Sequence, residues 1–292
     1  MINPTIPLSL ALLFFSYTVF ASPHKLDIKS QAALIYDTQN KRILYDKNAD
    51  KVMPIASITK LMAAMVSLDA RLPLNDRITI TAADVDKLRH SSSRLPVGSN
   101  YARHELLRLS LMSSENRATA ALARTYPGGT QAFVRAMNQK AQKIGMTNSR
   151  FADATGLNQG NVSTARDLAK LVITSNHYAV IRDFSTTVQH RVARNNNRGQ
   201  IQFVNSNSLV RNQDWQIDVS KTGYISAAGR CLVMKADISG DSMVIVLLNS
   251  WGKNTRIGDA NRMKKWIETN YSTRSKGHRV KHQPATGQFA SL

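Results

Sequence analysis

Apolar and polar positions change rhythm several times along the chain, and each change marks a class of element. Ala32-Ala33-Leu34-Ile35-Tyr36 and Arg42-Ile43-Leu44-Tyr45 flank the polar tetrapeptide Asp37-Thr38-Gln39-Asn40, a pattern that predicts an antiparallel hairpin. From Pro54 to Val66 a proline stands near the start of a long run of small and apolar residues, which predicts a buried helix with Ser57 in its first turn. Helices are predicted at about 103–112, 116–126, 130–144 and 164–175, with Pro127-Gly128-Gly129 and Gly145 as breakers. After Trp215 the rhythm turns to strands at 216–222, 229–237 and 242–249, and a last helix is predicted at about 259–271. Strands near both ends with helices between them imply one α/β domain in which the terminal segments share an antiparallel sheet.

The ends read differently. Residues 1–21 hold no charged side chain, contain the apolar run Leu8 to Phe15, and finish Val19-Phe20-Ala21, the pattern of a cleaved secretory signal whose only positive charge is the terminal amine. An uncleaved anchor is the other reading, but prolines and hydroxyl residues interrupt a stretch already shorter than the ~20 apolar residues needed to span a bilayer. Residues 272–292 are basic, poor in apolar residues and free of acids, which predicts a disordered tail. The folded unit is thus expected between the leader and the tail, in an exported protein without a stable membrane span once the signal is removed.

Composition narrows the chemistry. An exported chain with the single cysteine Cys231 has no internal disulfide, and the apolar run around Cys231 marks it as a small buried hydrophobe. The seven histidines include no metal-binding pair on a helix, so no metal and no cofactor are expected. A formal charge of +20 suits phosphate backbones, but an exported protein rarely meets nucleic acid. The same field suits an anionic cell envelope, and a solvated basic surface is the plain alternative.

Three short motifs follow in order: Ser57-Ile58-Thr59-Lys60, Ser114-Glu115-Asn116 and Lys221-Thr222-Gly223. On a buried helix Lys60 lies one turn after Ser57, within reach of its hydroxyl, and becomes a base if burial or a second cation such as Lys221 lowers its pKa. Taken alone, the pair also reads as a first-turn serine and a surface lysine. Ser114 and Asn116 offer a proton-relaying hydroxyl and a substrate-binding amide, or merely a helix cap. Lys221, Thr222 and Gly223 on an edge strand offer a cation, a hydroxyl and a close approach, with the Tyr224 N–H completing an oxyanion hole beside Ser57; a strand-end turn is the bland reading.

Together the triplets resemble the signature of β-lactamases and penicillin-binding proteins, with Glu115 where aspartate is usual. Pro54-Ile55-Ala56-Ser57, Leu111-Met112-Ser113-Ser114-Glu115-Asn116-Arg117-Ala118, Phe151-Ala152-Asp153-Ala154-Thr155-Gly156-Leu157 and Ser163-Thr164-Ala165-Arg166-Asp167-Leu168 extend the likeness over about 28–271. The chain resembles the low-molecular-mass penicillin-binding proteins of the S11 serine peptidase family, most of all the D-alanyl-D-alanine endopeptidase branch, the penicillin-binding protein 7 type. That resemblance implies a β-lactamase/transpeptidase-like fold and an acyl-enzyme mechanism on peptidoglycan cross-links between D-alanine and meso-diaminopimelate. It implies Ser57 as nucleophile, Lys60 as proton acceptor, Ser114 as proton shuttle and Lys221 as a substrate-binding lysine, with β-lactams as covalent inhibitors. D-alanyl-D-alanine carboxypeptidase activity is the alternative; a non-catalytic wall-binding protein is a lesser one. A class A β-lactamase is disfavoured because no glutamate lies between Asn116 and Lys221 to activate a deacylating water.

Overall fold

The computed structural model describes residues 26–194, 199–212 and 214–271. The predicted signal at 1–21 and basic tail at 272–292 lie outside the described residues. Strands β1 (Ala32–Asp37), β2 (Arg42–Lys47), β3 (Met53–Pro54), β4 (Arg77–Thr79), β5 (Asn100–Ala102), β6 (Val162–Ser163), β7 (Gln189–Ala193), β8 (Gln200–Val204), β9 (Gln216–Ile225), β10 (Gly229–Ile238) and β11 (Asp241–Ser250) alternate with seven helices. The helices are α1 (Thr59–Asp69), α2 (Arg103–Met112), α3 (Asn116–Arg124), α4 (Gly129–Lys143), α5 (Ala165–Ser175), α6 (Ala179–Ser185) and α7 (Thr255–Asn270).

The main sheet has the order β2-β1-β11-β10-β9, antiparallel throughout, so the N-terminal hairpin completes a sheet built mostly by the last three strands. This is the α/β architecture that the terminal strand runs predict. Between β10 and β11, Ser239 and Gly240 both have positive φ, 57° and 86°, the tight two-residue turn that matches strand twist. Both faces of the sheet are covered, which explains why β10 and β11 read as continuous apolar runs rather than alternating ones. Leu34, Val233, Val244 and Val246 face the helical cluster, where α5 crosses the sheet. Ile35, Leu232, Met234 and Ile245 face Ala260, Met263 and Ile267 of α7. Each such side chain contributes about 1.5–3 kcal/mol by leaving water.

Helix α1 runs through the middle of the helical cluster with nine consecutive residues, Thr59 to Ser67, buried. A helix apolar all round can only be placed this way. Two features differ from the predicted pattern. The helix expected from Pro54 starts at Thr59, because Pro54 is held in β3 opposite Val162 and the Ile55 N–H is bound to the Asn161 carbonyl at 3.0 Å. The pairs β3–β6, β4–β5 and β7–β8 and the helix α6 lie outside the predicted pattern; β3, β4, β5 and β6, at two or three residues, carry no readable period. Cys231 is buried in β10, where burial pushes its thiol up to about 11, as befits a core residue. Among the described residues no helix is long and apolar enough to cross a membrane.

Candidate active site

Ser57 sits in a single 3₁₀ turn, Ala56–Ile58, immediately ahead of α1. With three residues per turn, positions i and i+3 eclipse, which stacks Lys60 over Ser57 more directly than an α-turn would. Ala56 has φ +46°, an uncommon conformation for alanine, and two backbones press on it. A Cβ on Gly156, whose φ is +85°, would lie 2.1 Å from the Ala56 carbonyl oxygen, and one on Gly223 would lie 3.1 Å from the Ser57 nitrogen. Only glycine lets the 151–157 loop and strand β9 close on the turn from its two sides.

Lys60 is fully buried, yet its Nζ meets polar partners in every direction. It lies 2.8 Å from Ser57 Oγ and donates to Asn116 Oδ1 at 2.8 Å and to the Thr155 carbonyl at 2.6 Å. Burial pushes its pKa down to about 7, against the opposing pull of the Asp153 and Glu115 carboxylates. The leading cause is therefore desolvation rather than a second cation. A neutral amine has two N–H bonds, and here two carbonyl-type acceptors take both. Its lone pair is left for the Ser57 hydroxyl.

Asn116 is the first residue of α3, and its amide nitrogen donates to Ser91 Oγ at 3.0 Å. The cap of this helix is Glu115, whose carboxylate accepts from the Arg117 N–H at 3.3 Å, and not one of the preceding serines. Ser114 is thereby released from capping, and its φ of +61° belongs to the sharp reversal between α2 and α3 that sets it in the cavity wall. Ser91 is held from behind by Asp86, which accepts from the backbone N–H of Leu88, Arg89 and Ser91. Although burial raises the Asp86 pKa, these bonds and one from the Ser91 hydroxyl hold it down at about 2.

On the opposite side, β9 is the outer strand of the main sheet and carries the third motif within it. Lys221 is buried, donating to the Thr222 carbonyl at 2.9 Å, and burial, then the charges of Lys60 and Arg256, hold its pKa well below the ordinary lysine value. Thr222 Oγ1 meets Ser206 Oγ at 2.7 Å. A cavity of about 490 Å³ opens between these parts, lined by Ser57, Ser114, Asn116, Thr222, Gly223 and Tyr224 of the predicted set. Lys60 and Lys221 lie buried behind it.

Three contributors went unread in the sequence. Ser91 stands in an undistinguished serine run, Thr155 acts through a main-chain carbonyl, and Arg256 comes from the first turn of α7. Arg256 lines the cavity, and its Nε and Nη1 are buried without a hydrogen-bond partner. The assembly can deprotonate a serine, accept negative charge at backbone N–H groups and hold an anion nearby.

Residues 19–252 match the S11 peptidase family described as D-alanyl-D-alanine carboxypeptidase. A D-alanyl-D-alanine endopeptidase of Pseudomonas aeruginosa is 43% identical over 277 residues, covering 91% of this chain and 89% of that protein. A protein of the same name from Escherichia coli is 45% identical over 243 residues, 83% of this chain and 78% of its own length. Among solved structures, the Streptomyces K15 DD-transpeptidase superposes with a TM-score of 0.76 at 26% identity, covering 82% of this chain and 97% of that one. With its fold, its three motifs and these relatives in agreement, the chain belongs to the S11 peptidase family of D-alanyl-D-alanine carboxypeptidases.

Proposed function

We propose that the protein is a murein DD-endopeptidase, which cuts D-alanyl–meso-diaminopimelate cross-links through an acyl-enzyme on Ser57. The observation that carries this reading is the placement of the Lys60 amine, with both N–H bonds engaged and Ser57 Oγ 2.8 Å away. Lys60 takes the Ser57 proton as Oγ attacks the D-alanine carbonyl. The oxyanion forms against the backbone N–H groups of Ser57 and Tyr224, a reading supported by the close packing of Gly223 against the Ser57 nitrogen. Ser114 relays the proton to the departing nitrogen, and Asn116 holds the donor peptide. Lys221 lies buried beneath the site, while Thr222 and Arg256 receive the carboxylate next to the scissile bond. Water then attacks the ester with Lys60 again as base, restoring Ser57.

Two relatives above 40% identity bear the endopeptidase name, which favours the cross-link over a terminal D-alanine as substrate. The catalytic unit is assigned to 28–271, with export to the periplasm by the 1–21 leader and β-lactams as covalent inhibitors.

A fluorescent penicillin is expected to label the protein, and Ser57→Ala to abolish the label with the circular dichroism spectrum unchanged. Equal labelling of that variant would remove Ser57 from its role. Cross-linked muropeptide dimers are expected to be cut to monomers. Release of terminal D-alanine alone from pentapeptide would replace the endopeptidase reading by the carboxypeptidase one.

A further inference from the structure

Charged groups withdrawn from water are almost always paired, and several arginines of this protein obey that rule. Arg108, Arg124, Arg166 and Arg262 each meet an aspartate. Arg230 and Arg256 are among the described arginines that take part in no ion pair, and they stand close enough to repel. Burial first, and then the charge of Arg230, hold the Arg256 pKa below the ordinary arginine value. Arg230 lies opposite Tyr224 in the β9–β10 ladder, and its guanidinium rests 4.6 Å from the centre of the Tyr224 ring. Tyr224 lines the cavity and is 58% exposed. Arg256 in the cavity wall, with Arg230 over the ring of the cavity-lining Tyr224, concentrates positive charge that an anionic ligand can balance.

A terminal D-alanine presents a single carboxylate, and Arg256 suffices for it. The departing side of a cross-link is longer. Beyond the carboxylate beside the scissile bond, its stem peptide carries another on the γ-linked glutamate. Resting over the Tyr224 ring positions the Arg230 guanidinium in advance, so little side-chain freedom is lost on binding a carboxylate. We propose that the Tyr224–Arg230 stack is a subsite for the departing stem peptide, binding a second carboxylate beyond the one held by Arg256. The subsite rests on the endopeptidase reading and supplies its selectivity for cross-links over single stems.

The test compares kcat/KM for a cross-linked muropeptide dimer with that for a single-stem pentapeptide, in the full-length protein and in Arg230→Gln. The dimer-to-pentapeptide ratio is expected to fall about tenfold in Arg230→Gln, carried by KM, with part of it restored in Arg230→Lys, which keeps the charge but not the planar fork. A dimer amidated at the glutamate carboxylate should be cut by the parent protein as slowly as the free dimer is by Arg230→Gln, with no further loss in the variant. An unchanged ratio, or an equal loss on both substrates, overturns the subsite while leaving the endopeptidase reading standing. A parent protein that is labelled by penicillin but cuts no dimer overturns that reading, and the subsite with it.

Discussion

Lys60 shows how far one residue's surroundings set the chemistry. An ordinary lysine has a pKa of 10.5 and is protonated at neutral pH, whereas burial brings this one to about 7. The sign follows directly: the proton is held less tightly in the folded chain than in the unfolded one. The penalty for folding is full below pH 7 and fades as pH rises toward 10.5. Catalysis has the same sign, since only the neutral amine accepts the Ser57 proton. The second-order rate of penicillin acylation is expected to rise about tenfold per pH unit below 7 and to level off above about 8. Lys60→Arg, which keeps a cation but removes a titratable base, should lower the plateau rate above pH 8 by at least ~100-fold and flatten the pH profile. A rate flat from pH 5 to 8 would exclude Lys60 as the base. The Ser57–Lys60 pair was legible because its partners lie three residues apart on one short helical segment. Thr155 and Ser91 were not, because a carbonyl and a hydroxyl gain meaning only from the packing that brings distant segments together.

Elements were legible in proportion to their length. The ten-residue strands β9, β10 and β11 and the helices of nine residues or more all carry a period or an apolar run. The two-residue pair β3–β6 carries none, yet it fixes where the Ser57 turn begins. That turn depends equally on the 151–157 loop, whose Gly156 touches the Ala56 carbonyl. Asp153 organises this loop, accepting from the Gly156 N–H at 3.0 Å and from Thr155 Oγ1 and the Asn161 amide. Gly156→Ala combines a left-handed backbone with a 2.1 Å clash against main chain. It is expected to cost roughly 3 kcal/mol or more and to abolish penicillin labelling. Gly240, at φ +86° with open space around the missing Cβ, is the matched control. Gly240→Ala should cost only about 1 kcal/mol and leave labelling intact. Thermal unfolding of the two variants separates strain from clash; equal losses would mean that the contact with Ala56 contributes nothing.

Across the whole molecule, acids are scarce and those near the site are engaged in structure. The chain has 19 acidic residues against 39 basic ones, and none of the acids lines the cavity. Glu105 accepts from the Ala102 N–H at the start of α2, Glu115 caps α3, and Glu268 lies 3.8 Å from Lys264 on α7. Asp153, whose charge reaches Lys60, is saturated by the loop it organises. No carboxylate is therefore placed to activate a water against an ester on Ser57, and the proposed mechanism assigns deacylation to Lys60. With a peptide substrate the departing amine diffuses away and leaves room for water beside that lysine. With a penicillin the expelled nitrogen stays tethered to the acyl group and occupies the same space. The penicilloyl adduct is expected to outlive the acyl-enzyme formed on a muropeptide by at least ~100-fold, the typical worth of a well-placed general base. Chasing the fluorescent adduct with unlabelled penicillin while measuring muropeptide turnover gives both rates on one preparation. Loss of the label at the rate of muropeptide turnover would require a second water-activating group in the cavity, which the distribution of acids over this molecule does not provide.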